Sequence, residues 1–296
     1  MEGVKNYGIS QPSSTVESPQ LTAENHSVSL EDGPNLSVSV VEGGDNVLLQ
    51  TIAWSEYSCR PDAQARYELM AQKLGATLVT IDSPGVSGID KVNLTAKQRR
   101  LLSRGDSHEI SSMQWEALRH VDINLGKVGV LGYSLGAPLA ASLASKAPKG
   151  TQVETIDLLE PVGNQPTAAP KLLWQFIESA PESNGHKKND PEWYRALTTS
   201  NLPLSSWKEL IAYGQFIAHG KHYDALRNDE STAKNAAITV VSNYNSQLVS
   251  PEAATELAEK LNAENQIIIR GQNIGHGAID NLGYVATLST ILKDIR

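Results

Sequence analysis

The pentapeptide Gly132-Tyr133-Ser134-Leu135-Gly136, with what flanks it, restricts the fold more than any other segment of the chain. The apolar run Val128-Gly129-Val130-Leu131 precedes it, and mostly small, helix-compatible residues follow over 137–144. A short apolar run reads as a buried strand, and the segment after it reads as a helix. A strand that turns into a helix within so few residues must pass close to it, and glycine allows that approach because it carries no Cβ. Ser134 is then expected at the tip of a sharp, strained turn with its hydroxyl exposed.

The rest of the chain supplies a setting for that turn. Residues 26–30 and 36–41 alternate in polarity around Asp32-Gly33-Pro34, a hairpin pattern. Strands are expected at 47–52, 77–81, 127–131, 153–159, 237–241 and 266–270. Helices are expected at 63–74 (Pro61 and Asp62 at its start, Gly75 as its stop), at 95–102 with Thr95 as cap, and at 112–120, 137–147, 251–261 and 284–295. Strands alternating with helices predict an α/β fold: a mostly parallel central sheet with helices on both faces. The alternation stops over 163–236, where helical stretches at 170–179, 191–198 and 205–218 appear without a strand. The chain therefore divides into a core of 25–162 and 237–296, a helical cap or lid insert of 163–236, and a flexible N-terminal tail of 1–24 rich in polar residues and proline.

Composition narrows the function classes. A formal net charge of -8 argues against a nucleic-acid partner. The densest basic cluster, Lys97-Gln98-Arg99-Arg100, reads as a solvated helix face. With Cys59 as the single cysteine, neither an internal disulfide nor a cysteine-based zinc cluster can form, and no metal or cofactor is implied. Residues 1–30 show no basic and apolar leader pattern, and no apolar run reaches the roughly 18 residues of a membrane-spanning helix. The expected setting is cytoplasmic, with homo-oligomerisation left open.

Taken together, these features resemble the α/β-hydrolase fold family over 26–296. The resemblance rests on the pentapeptide, on Gly275-His276-Gly277-Ala278 after the strand at 266–270, and on Asp82-Ser83-Pro84-Gly85, which is similar to the family's Asp-x-Pro-Gly segment. It implies Ser134 as nucleophile, His276 as general base and the insert as a lid. The chemistry agrees, because a serine hydroxyl is a weak nucleophile until a nearby imidazole takes its proton. His26, His108, His120, His186, His219 and His222 lack the setting of His276, a loop between glycines that follows a strand.

The third member of the triad is open. Where the family usually carries an aspartate, residues 242–251 hold no carboxylate, and Asn245 or Ser246 stands in its place. Glu160, at the end of the strand 153–159, is the alternative acid. For the oxyanion, one donor is expected at the Leu135 N–H and the second at Ala53 or Trp54. Trp174, Phe176 and Phe216 are candidates for the substrate pocket, with the core of the insert as the other reading.

The function expected is a serine hydrolase that cleaves an ester or related acyl bond of a small molecule through an acyl-enzyme. Serine at 134 disfavours the branches of the family that use an aspartate nucleophile. A non-catalytic binding or scaffold member of the same fold is the alternative. A dinucleotide site at Gly129-Val130-Leu131-Gly132 is disfavoured, because Ser134 stands where the second glycine of a fingerprint starting at Gly132 belongs.

Overall fold

The computed structural model describes residues 4–9, 16–31, 33, 35–54, 56–85, 93–197, 206–228 and 231–296. Among these, the strands are β1 (Lys5–Gly8), β2 (Glu24–Ser29), β3 (Asn35–Val41), β4 (Val47–Thr51), β5 (Thr77–Ile81), β6 (Lys127–Tyr133), β7 (Gln152–Leu159), β8 (Ala237–Asn243) and β9 (Asn265–Arg270). They form one sheet in the order β1-β9-β8-β7-β6-β4-β5-β3-β2. Every pairing is parallel except β2 with β3 and β3 with β5.

The helices are α1 (Pro61–Leu74), α2 (Ala96–Leu102), α3 (His108–Leu118), α4 (Gly136–Ser145), α5 (Ala169–Asn189), α6 (Glu192–Leu197), α7 (Trp207–His219), α8 (Pro251–Lys260) and α9 (Leu282–Asp294). Their ends follow local chemistry. Proline opens α1, and Gly75 closes it with φ 65°. Thr95 and Gln98 form a reciprocal capping box on α2, and Ser250 caps α8.

Alternate strand residues feed two cores, one on each face of the sheet. Leu49, Val79, Val130 and Ile156 pack with Trp115 of α3, Leu139 of α4 and Leu257 of α8. Leu48, Leu78, Leu131 and Ile267 pack with Tyr67 and Met70 of α1 and Leu288 of α9. Burial on both faces is why the central strands are apolar almost without interruption.

The tail departs from expectation. Lys5–Gly8 pairs in parallel with β9, in the register Lys5 with Ile267, so this stretch is an edge strand and not a loose segment. The outer backbone edge of β9 offers it hydrogen bonds, Tyr7 packs onto the second core, and Lys5 Nζ donates to Asn265 Oδ1 at 3.0 Å. In the insert, the helix expected at 170–179 runs on to Asn189 through Pro181, and the helix expected at 112–120 begins at His108. Asp32 and Pro34 of the hairpin turn, Ser55 of the loop after β4, and Thr198 and Ser205 at the expected ends of insert helices lie outside the described residues.

Candidate active site

β6 ends at Tyr133, α4 begins at Gly136, and Ser134 stands between them with φ 55°. A Cβ added at Gly132 would collide with the Gly136 carbonyl, and one added at Gly136 with the carbonyl of Thr51. Both glycines are therefore required by the close passage of β6, α4 and β4. Left-handed backbone at a serine costs on the order of 1–3 kcal/mol, so the surroundings must hold it there. They do so through Ser134 N donating to Leu159 O at 3.0 Å and Ala137 N donating to Ser134 O at 3.0 Å. Thr51 Oγ1 also donates to Gly136 O at 2.6 Å, which fixes the end of β4 beside the turn.

Glu160 repeats this geometry at the end of the neighbouring strand, with φ 50°. Its backbone N–H donates to Val241 O at 2.8 Å, and its side chain reaches across the end of β8. One carboxylate oxygen accepts the Asn243 N–H; the other accepts Ser246 Oγ at 2.5 Å and lies 3.0 Å from His276 Nδ1. His276 Nε2 is 2.8 Å from Ser134 Oγ. Three residues far apart in sequence thus form one buried hydrogen-bonded line. Ser246, one of the two residues that stand at the family's usual aspartate place, donates to the carboxylate in place of supplying one.

The His276 loop is held on several sides. Asn243 Nδ2 donates to Gly275 O at 2.7 Å, and Tyr284 OH donates to Asn243 Oδ1 at 2.8 Å. Glu182, from α5, accepts the N–H groups of both Gly275 and Gly277. The Tyr133 ring stacks on the imidazole with centroids 5.3 Å apart. Burial, reinforced by the Glu160 charge, pushes the Tyr133 hydroxyl well above the usual tyrosine range and so keeps it protonated. Asn243 and Tyr284 carry no motif of their own. The only sequence sign of them is position, at the end of a strand and in the first turn of the helix after His276.

Leu135 immediately precedes α4, so its N–H belongs to the exposed donor end of that helix. The Ala53 N–H lies 3.4 Å from Glu56 Oε2. Trp54 meets Phe176 edge-on at 5.3 Å, and Phe176 meets the His276 ring edge-on at 6.5 Å. Two pocket candidates sit elsewhere. Trp174 is 61% exposed on the outer side of α5, where its Nε1 donates to Glu178 one turn on. Phe216 is fully buried, its ring 3.9 Å from that of His222, and is a core residue of the insert because it lies on the inward stripe of α7 with Tyr213 and Ile217. The segment after β5 also ties the insert to the core: Tyr213 OH donates to Pro84 O at 2.6 Å, and Gly85 takes φ 81°.

Behind the site, Arg66 of α1 is fully buried between two carboxylates. It donates to Glu56 and, at 3.2 Å, to Asp280 in the 3-10 turn His276–Asp280. Burial alone raises the Glu56 carboxyl, but the Arg66 and Arg60 charges outweigh it and hold the group below its ordinary range. Among the described residues no group of three or more His, Cys, Asp or Glu is placed to hold a metal ion, and no helix is long and apolar enough to cross a membrane.

No protein family model matches the chain, and no curated protein matches it either. Solved structures do. The thioesterase domain from the curacin biosynthetic pathway superposes with a TM-score of 0.59 at 16% identity, over 91% of this chain and 98% of that one. A soluble variant of monoglyceride lipase from Saccharomyces cerevisiae gives 0.59 at 12%, covering 97% of each chain. The esterase EaEST from Exiguobacterium antarcticum gives 0.60 at 16%, over 90% and 96%. Identities this low speak for architecture and not for chemistry. With the sheet order and the turn at Ser134 they establish that the chain has the α/β-hydrolase fold.

Proposed function

We propose that this protein is a serine hydrolase that cleaves an ester or related acyl bond of a small molecule, with Ser134, His276 and Glu160 as its triad. The observation that carries the reading is the continuous line from Ser134 Oγ to His276 Nε2 at 2.8 Å and from His276 Nδ1 to Glu160 at 3.0 Å. The activities by which these structural neighbours are named (thioesterase, lipase, esterase) agree with it.

In the proposed reaction His276 Nε2 takes the Ser134 proton as Oγ attacks the acyl carbon. Glu160 keeps the proton on Nδ1 and stabilises the imidazolium as it forms. The oxyanion is held by the Leu135 N–H and by a second N–H from the Ala53-Trp54 loop, which the Thr51 contact holds beside the turn. Trp54 and Phe176 form an aromatic wall next to the imidazole, and α5 to α7 serve as the cap over it. Collapse of the tetrahedral intermediate expels the leaving group, protonated by His276. Water, activated by the same imidazole, then releases the acid from Ser134.

The test is hydrolysis of short p-nitrophenyl esters together with labelling by a fluorophosphonate probe. The wild type is expected to turn over and to be labelled on Ser134. Ser134→Ala should abolish labelling and lower kcat by about a thousandfold or more. Unchanged turnover in Ser134→Ala overturns the mechanism, and a wild type that neither turns over nor labels favours the binding or scaffold reading.

A further inference from the structure

We infer that Glu182, on the insert helix α5, is a positioning residue for His276, so that the insert carries part of the mounting of the general base as well as covering the site. The inference rests on the serine hydrolase reading above. Glu182 straddles the histidine: one carboxylate oxygen accepts the Gly275 N–H at 2.5 Å and the other accepts the Gly277 N–H at 3.1 Å. Hydrogen bonds to an ionised carboxylate are stronger than neutral ones, and a two-point grip fixes direction as well as distance.

The glycine before the histidine finds its reason here. Gly275 has φ -125°, a conformation that any residue can adopt, so backbone freedom does not require glycine. Space does. A Cβ at 275 would lie 2.6 Å from Glu182 Oε2 and 2.9 Å from Asn245 O. Glycine is what lets the carboxylate reach the backbone beside His276. From the core side Asn243 Nδ2 donates to Gly275 O at 2.7 Å. The peptide leading into His276 is therefore clipped between the sheet and the insert.

The grip bears on the line to Ser134 because the ring is carried by the backbone of 275–277. With Nε2 at 2.8 Å from Ser134 Oγ and Nδ1 at 3.0 Å from Glu160, little freedom remains. Glu182 does not touch the reacting atoms and acts only through the loop. His186, one turn further along α5, places Nε2 3.4 Å from Glu182 Oε1 and so holds the carboxylate from behind. Any movement that lifts α5 from the core releases the clip, which links cap position to orientation of the base.

The experiment uses the full chain with Glu182→Gln and Glu182→Ala, a p-nitrophenyl ester and a fluorophosphonate probe. A misplaced base of this kind should lower kcat about tenfold to a hundredfold while KM stays within about twofold. The labelling rate of Ser134 should fall by the same factor. Glu182→Gln keeps one acceptor and should lose less than Glu182→Ala, and it is the near-isosteric variant to rely on if the alanine form does not fold. Glu182→Ala added to His276→Ala should change the residual rate no further. Unchanged kcat, a loss confined to KM, or an undiminished Glu182 effect in the His276→Ala background each overturns the inference while leaving the hydrolase reading intact. A wild type that Ser134 labelling and turnover show to be inert overturns both.

Discussion

At the residue scale, the unusual element of the proposed triad is the position of its proposed acid, Glu160. Glu160 reaches His276 because a left-handed backbone at φ 50° swings its side chain across the end of β8, where Asn243 N–H and Ser246 Oγ also donate to the carboxylate. Glu160→Gln keeps the shape but can present an amide donor to Nδ1 and so favour the wrong tautomer; by analogy with the aspartate-to-asparagine change in a serine protease triad, kcat should fall by about 10⁴ at most, with KM little altered. A loss below tenfold in steady-state assays removes Glu160 from the acid role. Ser134 and His276 were legible in the sequence as candidates because the close passages around them demand glycine at 132, 136 and 275. Glu160 was legible only as one of two candidates, since nothing in a linear sequence announces a positive φ. Glu182 was not legible at all: it sits 93 residues from Gly275 in a helix without a marker.

At the scale of elements, the turn at Ser134 is a junction of three segments and not a property of five residues. A Cβ at Gly136 would meet the backbone carbonyl of Thr51, and backbone cannot step aside as a side chain can. Gly136→Ala is expected to destabilise the fold by about 1–3 kcal/mol or more, as overpacked cores do, read as a lower urea midpoint at unchanged slope. A midpoint equal to wild type would mean that β4 and α4 leave room for a Cβ at 136. The strands that alternate with helices were readable because burial on two faces makes them apolar. β1 was not, because four residues of mixed polarity owe their strand form to the free edge of β9 and not to their own pattern. The far end of α5 was hidden for a related reason. Pro181 and Gly185 are helix breakers in isolation, yet the helix continues through them to Asn189, with His186 and Glu182 packed against the His276 loop.

At the scale of the whole molecule, one buried charge cluster joins four regions: Glu56 of the loop after β4, Arg66 of α1, Asp280 of the turn begun by His276, and Asp190 where α5 gives way to α6. Through Glu56 it reaches the Ala53 N–H, and through Asp280 the histidine turn. None of these contacts follows a sequence pattern, since each joins residues that only the finished fold brings together. Asp190 is its strained member. Burial is the main cause that lifts its carboxyl from an ordinary value of 3.8 to about 7, with Asp280 adding to the rise and Leu282 N–H, His186 and Arg66 opposing it. Its Oδ2 has no hydrogen-bond partner among the described residues.

The sign of the pH effect follows from that shift. The folded state prefers the protonated acid, so the contribution of Asp190 to stability is fully present below about pH 4 and is lost as pH rises through about 7. Asp190→Asn cannot ionise. The variant is therefore expected to gain on the wild type steadily between pH 4 and 7, and to hold a constant advantage above it. Urea unfolding of both proteins at intervals from pH 4 to 8.5 measures the difference directly. Parallel stability curves over that range would show that Asp190 is solvated or paired in the folded protein, and that the junction of α5 and α6 does not close on an uncharged acid.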